Sequence, residues 1–236
     1  MLHKYRLHYL AMVMVMSFLN TASGQELEND KEPEVMSASK KPKEKTFTYF
    51  RAGLDLSKVV ASLIQPRYDV IEFNFESRYK NAIFFASEFG YGSSAIENDF
   101  LHYRSRNSFL KIGVDKTFFG REYPGDMDNA FIGLRYGGAR VDRTEAVYKL
   151  IDPVWGNSEG KVDKATFFAH WLELNAGFRL EIIKNVFAGW NIRFGTFINP
   201  DKFKELPPAY IAGYGRGDKN TALAYNFYIQ YGFGKR

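Results

Sequence analysis

Thirteen ionisable side chains alternate with apolar residues, and they are the residues of this sequence best placed to act together. Seven are acidic and six are basic: Arg51, Asp55, Glu72, Glu76, Arg78, Glu88, Lys111, Asp115, Arg135, Glu173, Arg179, Glu181 and Arg193. Every second residue of a strand lies on the same face, so this pattern gathers the charges on one surface. Near-equal numbers of acids and bases predict an ion-paired interior of a narrow barrel. The alternative is a proton or ion path, or a gated pore.

A second set of residues could form a hydrolytic site. His102 stands close in sequence to Ser105 and Ser108, and Glu97 and Asp99 precede it. A hydroxyl, an imidazole base and an orienting carboxylate are the components of a serine hydrolase or acyltransferase. Their spacing matches no hydrolase motif, so they support only an alternative in which the chain modifies lipids.

Few side chains of the chain suit a metal ion. The sequence has no cysteine, and beyond the first two dozen residues its only histidines are His102 and His170. Asp126, Asp128 and Asn129 carry oxygens that could bind calcium. They lack the rest of a calcium-binding loop, which favours a polar turn. We therefore predict no metal and no cofactor.

Aromatic residues in two long connecting segments could contact a partner. Trp155 lies in one segment, and Phe203, Tyr210 and Tyr214 lie in the other, which also contains two adjacent prolines. Aromatic side chains on a stiff loop suit binding of another protein, and a tryptophan can also stack on a sugar. The second segment would have the same composition if it folded down over the mouth of a barrel.

The N-terminal segment is typical of an exported protein. Residues 1–24 combine a basic start, an apolar run and a small-residue cleavage site, which predicts a signal peptide cleaved after Gly24. Residues 25–46 are charged and poor in large apolar side chains, which predicts a disordered periplasmic leader. Without the signal peptide, 30 basic and 27 acidic side chains leave a net charge of +3. This balance does not favour nucleic-acid binding.

From residue 47 to residue 236, apolar and polar residues alternate as in β-strands. The alternation predicts eight strands, around residues 50–56, 71–76, 83–91, 110–115, 132–137, 172–182, 188–195 and 223–233. Glycines share the polar face with the charged residues. Small residues beside long ones suit a crowded barrel interior, so we expect the apolar face to meet lipid. Trp171 and Trp190 are expected at the membrane interface or in lipid.

The connections between the predicted strands alternate between long and short. Outer-membrane barrels have long extracellular loops and short periplasmic turns, so a chain that begins with a periplasmic leader also ends in the periplasm. Residues 93–107 could extend the third and fourth strands as a hairpin above the membrane. The predicted fold class is all-β, an eight-stranded antiparallel transmembrane β-barrel.

Two segments carry a resemblance to known proteins. Ser108–Asp115 (SFLKIGVD) and Tyr225–Phe233 (YNFYIQYGF) resemble segments of an uncharacterised family of small outer-membrane barrels from Bacteroidota. The architecture is similar to the eight-stranded OmpA-type and OmpX-type domains. The resemblance covers roughly residues 47–236 and implies a fold rather than an activity. In many such barrels the chain ends on an aromatic residue, whereas here Phe233 is followed by three more residues.

Together these patterns predict an integral protein of the cell outer membrane that is not an enzyme. It is expected to act as a scaffold or interaction protein through its extracellular loops or its periplasmic leader. Its expected contacts are outer-membrane lipid, lipopolysaccharide and other envelope proteins. The alternatives are a lipid-modifying enzyme with a site at the extracellular rim and a narrow channel.

Overall fold

The computed structural model describes residues 49–64, 68–80, 82–118, 127–151, 153–154, 156–200 and 206–235. The predicted signal peptide and leader lie outside these residues. The elements in chain order are β1 (Tyr49–Asp55), α1 (Leu56–Ile64), β2 (Tyr68–Lys80), β3 (Ile83–Glu97), β4 (Leu101–Thr117), β5 (Asn129–Arg143), β6 (Ala146–Leu150), β7 (Ser158–Val162), β8 (Ala165–Ile183), β9 (Val186–Phe197), β10 (Tyr210–Ile211), β11 (Gly215–Arg216) and β12 (Thr221–Gly234).

Eight strands close into an antiparallel barrel, as the alternation of the sequence predicts. The strands β1, β2, β3, β4, β5, β8, β9 and β12 pair in this order, and β12 pairs back with β1. In the part of the chain that the structure describes, closure leaves no unpaired strand edge around the barrel wall except where one strand is shorter than its neighbours. The prediction of an eight-stranded barrel is therefore confirmed.

The barrel wall is apolar outside and polar inside. In β4, Leu110 and Ile112 are 55% and 56% exposed on the outer face, whereas Lys111 between them is fully buried in the interior. A soluble protein buries its apolar side chains and exposes its charges. The reversed pattern is that of a barrel whose outer face contacts hydrocarbon. Within the described part of the chain, no helix is long and apolar enough to cross a membrane.

The two ends of the barrel differ. The connections that follow β2, β4 and β8 lie at one end, here called the turn end, and those that follow β1, β3, β5 and β9 lie at the other, the loop end. At the loop end, β3 and β4 stay paired as far as Glu97 and His102. The hairpin β6–β7 continues the sheet beside β4. Residues 93–94 and 105–107 are still paired with β2 and β5, so only residues 95–104 form a hairpin that projects beyond the barrel strands, and the connection from β5 to β8 contains a second hairpin.

Two local features differ from the sequence prediction. Residues 56–64 form helix α1, although residue 56 was expected to end the first strand and residues 57–64 were expected as part of a loop. Trp171, expected at the membrane surface, is fully buried inside the barrel. It pairs across the sheet with Gly137, where a side chain would collide with the indole ring. The glycines of the inner face thus make room for aromatic rings as well as for charged side chains.

Candidate functional site

Ion pairs connect eight side chains in a continuous row through the barrel interior. From the loop end to the turn end the row contains Asp55, Arg193, Glu88, Arg135, Asp115, Arg179, Glu76 and Arg51. Its closest contacts are Arg179–Glu76 at 2.5 Å and Arg179–Asp115 at 2.6 Å. Glu72, Lys111 and Glu173 join from the sides, with Lys111 2.5 Å from Glu88 and 3.3 Å from Glu173. These eleven residues are called the ion chain.

The side chains of the ion chain are buried, so each charge needs a partner. Removing one member of a buried pair leaves the other charge without compensation, which typically costs about 3–5 kcal/mol. Lys58 of α1 faces Glu72 and Tyr210 at the loop end. With Lys58, six carboxylates meet six cations. The charges of this set of twelve residues therefore balance, as the sequence predicts for an ion-paired interior.

Aromatic rings enclose the ion chain at the turn end. The guanidinium of Arg179 lies 3.6 Å from the centre of the Phe131 ring. The guanidinium of Arg51 lies 4.7 Å from Phe84 and 5.3 Å from Phe187. Stacking on ring faces suits a buried guanidinium, which is planar and only weakly hydrated. These rings pack around the two guanidinium groups at the turn end of the lumen.

Neutral amides complete the network, although the predicted set of thirteen ionisable side chains did not contain them. Asn175 donates to Glu173 at 2.8 Å, Gln230 donates to Asn74 at 2.7 Å, and Asn226 donates to Asp55. These residues occupy the same alternating positions as the charges. Because they alternate with apolar residues in the same way, the strand pattern of the sequence could have identified these amides as members of the network. Lys58 had no such signal, because a helix and not a strand carries it.

Two predicted members of the network lie outside the ion chain. Arg78 is half-buried at the turn end, where it donates to the carbonyl of Lys235 at 3.2 Å. Glu181 is also half-buried there and accepts a hydrogen bond from the backbone amide of Asn185 at 2.6 Å. Both side chains tie the ends of strands together at the turn end.

Residues 206–220 fold into the barrel mouth and are called the plug. The hairpin β10–β11 lies within this segment. The backbone amide of Ala212 donates to Asn107 at 2.8 Å, and the backbone amide of Gly213 donates to Glu72 at 3.0 Å. Nearer the rim, the Tyr103 hydroxyl donates to the carbonyl of Pro207 at 2.7 Å. The plug is thus hydrogen-bonded to the barrel wall at several heights.

The plug also packs through apolar side chains. Ile211 and Ala212 are fully buried, and Tyr214 is 4% exposed. The Tyr214 ring stacks on Phe197 with 3.7 Å between ring centres, and it meets Trp171 edge-on at 5.5 Å. Inward-facing residues of five strands enclose this cluster. A water-filled entrance would not present so much apolar surface, so the packing holds the mouth closed.

The four aromatic loop residues named from the sequence are only partly placed. Trp155 and Phe203 lie outside the described residues. Tyr214 is buried in the plug, and Tyr210 is half-buried there, with its ring centre 5.5 Å from that of Tyr68 and the two rings tilted by 60°. Of the two alternatives for this loop, the structure adopts the one in which it folds over the barrel mouth. Tyr214 is therefore not accessible to a partner at the surface.

The hydrolytic constellation suggested by the sequence is not assembled. Ser105 faces the interior, where its hydroxyl lies 2.8 Å from that of Ser94, while His102 is exposed on the outer face of β4. His102 and Ser108 share a face, but six residues of extended strand separate them by about 20 Å. The hydrolase alternative, as drawn from these residues, is therefore wrong.

The residues suggested for calcium binding also do not form one site. Asp126 lies outside the described residues. Asp128 accepts the backbone amide of Glu181 at 2.7 Å, and Asn129 accepts Arg179 at 3.2 Å. Among the residues that the structure describes, no group of three or more acidic or histidine side chains could hold a metal ion.

The fold and the interior define the class of the protein: an eight-stranded membrane β-barrel with an ion-paired lumen and a plugged mouth. The chain belongs to the family described as "Domain of unknown function (DUF6048)", whose sequence profile matches residues 3–233. No protein with a curated description matches the sequence.

Three solved barrels are similar in fold. The attachment invasion locus protein Ail of Yersinia pestis, crystallised with the heparin analogue sucrose octasulfate, is 8% identical with a TM-score of 0.39, over 80% of this chain and 97% of that one. The N-terminal barrel of Pseudomonas aeruginosa OprF is 10% identical with a TM-score of 0.35, over 80% and 98%. Neisserial surface protein A is 11% identical with a TM-score of 0.37, over 79% and 95%. Likenesses this distant bring no function to this chain.

Proposed function

We propose that this protein is a closed, non-conducting scaffold of the outer membrane that binds another envelope component through its loop end. The observation that carries the proposal is the double closure of the lumen. The ion chain occupies the interior and the plug occupies the mouth. A barrel closed in this way offers no path for a solute. The surface left for function is the sheet that projects at the loop end.

The projecting sheet, formed by the loop-end parts of β3, β4 and β5 with β6 and β7, suits a protein partner. In the part of the chain that the structure describes, β7 is the last strand of this sheet and pairs only with β6. An unpaired edge can accept a strand from another chain. Beside it, Leu150, Ile151 and Val154 are 56%, 64% and 79% exposed. Exposed aliphatic side chains next to an open edge favour protein binding.

The charges of the projecting sheet are paired, which argues against a polyanionic ligand. Lys149 pairs with Glu159 at 3.1 Å, and Lys161 pairs with Glu145 at 3.1 Å. A surface that binds nucleic acid or a sulfated polymer would carry an excess of basic residues. The proposed partner is therefore a protein of the envelope. The proposal includes export by the signal peptide of residues 1–24 and a periplasmic leader at 25–46 as a second binding segment.

Conductance separates the scaffold from the channel. The purified protein, inserted into planar lipid bilayers, should show no discrete current steps. Regular steps of one size would overturn the closed-barrel part of the proposal and would support the narrow channel instead.

Co-purification tests the binding surface. Tagged protein extracted from outer membranes in mild detergent should retain a partner in constant ratio. That partner should be lost when residues 146–162 are replaced by a short turn. The matched control is the double variant Lys149→Gln and Glu159→Gln, which removes an exposed ion pair but keeps the strand edge, and it should retain the partner. A variant without residues 25–46 tests the leader. If the variant with the replaced hairpin keeps the partner and the variant without residues 25–46 loses it, the binding site lies in the leader and not in the projecting sheet.

A further inference from the structure

The barrel wall contains a section that is not made of strand. β1 is seven residues long, whereas the other strands of the barrel have 12 to 19 residues. Its pairing with β12 ends at Asp55 and Tyr228, and its pairing with β2 ends at Leu54 and Phe73. Beyond this point, residues 68–72 of β2 and 221–227 of β12 have no β1 strand between them. We call this region the seam.

Helix α1 fills the seam. It packs against both β2 and β12. Asp55, the last residue of β1, caps the helix by accepting the backbone amide of Ser57 at 2.9 Å, as an N-cap residue does. The same carboxylate belongs to the ion chain, since Arg193 lies 3.6 Å from it. The chain therefore turns from strand to helix at a residue held by the barrel interior.

Ser62 of α1 takes over hydrogen bonds that a strand would supply. Its hydroxyl accepts the backbone amide of Val70 at 3.0 Å and lies 3.4 Å from the carbonyl of the same residue. Both groups belong to β2 within the seam, where the backbone needs partners if it faces lipid. The contact ties α1 into the wall instead of leaving it as a loop above the barrel.

The two faces of α1 repeat the pattern of the barrel strands. Lys58 and Ser62 face inward, towards Tyr210 and the β2 backbone. The outer face carries Leu56, Val60, Leu63 and Ile64, which are 41%, 52%, 80% and 72% exposed. Positions i, i+4, i+7 and i+8 form one apolar stripe on a helix. Water would not favour such a stripe, whereas hydrocarbon would.

The outer face of α1 is continuous with the lipid-facing surface of β12. Leu223, Tyr225 and Phe227 point outward within the seam and are 59%, 55% and 57% exposed. An open groove of about 530 Å³ runs between the helix and β12, lined by Leu56, Ser57, Val60, Ala61, Ile64 and Phe227. The lining contains no charged side chain, so it can recognise a hydrocarbon chain but not a headgroup.

We propose that α1 is immersed in the leaflet at the loop end and that the groove between α1 and β12 holds one acyl chain of a membrane lipid. The proposal rests on the membrane-barrel fold and not on the scaffold function. It assigns to this protein a lipid-binding site in its own wall. A loss of partner binding at β6–β7 would leave it unchanged.

Fluorescence quenching tests the immersion of α1. The chain contains no cysteine, so single-cysteine variants can be labelled with bimane without background. Val60→Cys reports on α1, Tyr225→Cys on the lipid-facing barrel surface and Asp99→Cys on the exposed β3–β4 turn. In phosphatidylcholine vesicles with nitroxide-labelled acyl chains, the Val60 label should be quenched as strongly as the Tyr225 label and should be protected from aqueous iodide. Behaviour like that of the Asp99 label would overturn the immersion.

Mass spectrometry of the intact protein tests the acyl-chain site. Protein extracted from outer membranes and exchanged into mild detergent should retain one lipid per chain, whose mass identifies its class. Ala61→Trp places a large ring in the groove and should abolish this retention. Leu110→Trp, on the outer face of β4 and three strands away from β1, should keep it. Folding of both variants is checked by their heat-dependent migration in gels. Equal retention in the two variants, or none in the unaltered protein, would overturn the site.

Discussion

The backbone amide of Gly213 donates a hydrogen bond to the carboxylate of Glu72 at 3.0 Å. The other oxygen of the same carboxylate accepts Arg193 at 3.1 Å. One side chain therefore holds both the plug and the loop end of the ion chain. Because these contacts share Glu72, docking of the plug and pairing of the lumen charges are coupled.

Gly213→Ala is expected to release the plug. Gly213 has a φ of +79°, and a β-carbon there would approach the Phe109 ring to 2.5 Å. The left-handed backbone conformation alone costs an alanine roughly 1–2 kcal/mol, and the collision adds to this cost. Limited proteolysis within residues 206–220 of the protein in vesicles should become several-fold faster. Gly156→Ala is the matched control, because Gly156 has a φ of +82° with nothing within 4 Å of the added carbon. Equal cleavage rates in the two variants would contradict the role of the plug contact.

Asp115→Asn is expected to destabilise the barrel strongly. Asp115 pairs with Arg135 at 3.1 Å and with Arg179 at 2.6 Å, and all three side chains are buried. Loss of the shared carboxylate should lower the free energy of unfolding by about 3–5 kcal/mol. Urea-induced unfolding in lipid vesicles measures this change. Asp142→Asn removes an exposed pair with Arg140 and should cost less than about 1 kcal/mol. Similar costs for the two substitutions would mean that the lumen charges are better solvated than their burial indicates.

Removing the plug is expected to leave the barrel non-conducting. If residues 206–218 are replaced by a short glycine and serine linker, the mouth opens but the ion chain still fills the lumen below it. Planar-bilayer recordings should therefore show no current steps. A second variant, which adds Glu88→Ala and Arg193→Ala, removes an ion pair of 3.0 Å from the loop-end half of the row and should conduct weakly. Conductance from the plug deletion alone would show that the ion chain does not seal the barrel.

Tyr103 is expected to titrate late, because burial raises its pKa from 10.0 to about 12. Its hydroxyl donates to Pro207, and only the protonated form can donate. The folded pKa lies above the unfolded one, so the stability contributed by this group is present below pH 10 and is lost as pH rises through about 12. Tyrosinate absorbance is measured as pH rises for the unaltered protein and for Tyr103→Phe. Subtracting the second titration curve from the first leaves the titration of Tyr103. A difference titration centred near pH 10 would contradict the buried contact.

The charged members of the ion chain could be identified from the sequence because strand geometry is local. Asp115, Arg135 and Arg179 fall on the polar face of their strands, and the period of two places that face without knowledge of the neighbours. The same rule would have placed Trp171 inside, since it has the parity of Glu173. Its aromatic character led instead to the membrane surface. In this barrel, the position of Trp171 in the alternation of the strand predicted its location better than its residue type did.

The sequence could not indicate the role of residues 56–64. Their apolar positions fit a short helix, but nine residues lie below the length at which an isolated helix is stable in water. The helix forms because Asp55 caps it and Ser62 bonds to β2. Both contacts depend on where β1 stops pairing, and that boundary is set by neighbouring strands.

By itself, the sequence favoured eight barrel strands over ten and determined the face of each strand and the balance of charge on the inner face. These properties follow from alternation and composition, which act within single strands. Only the tertiary structure decided which acid meets which base, that the last long loop folds inward as the plug, and that a helix completes the wall. These depend on register across the barrel and on contacts between distant segments, such as Gly213 with Glu72, 141 residues apart. No local pattern encodes such a distance, because closure of the barrel brings the two residues together.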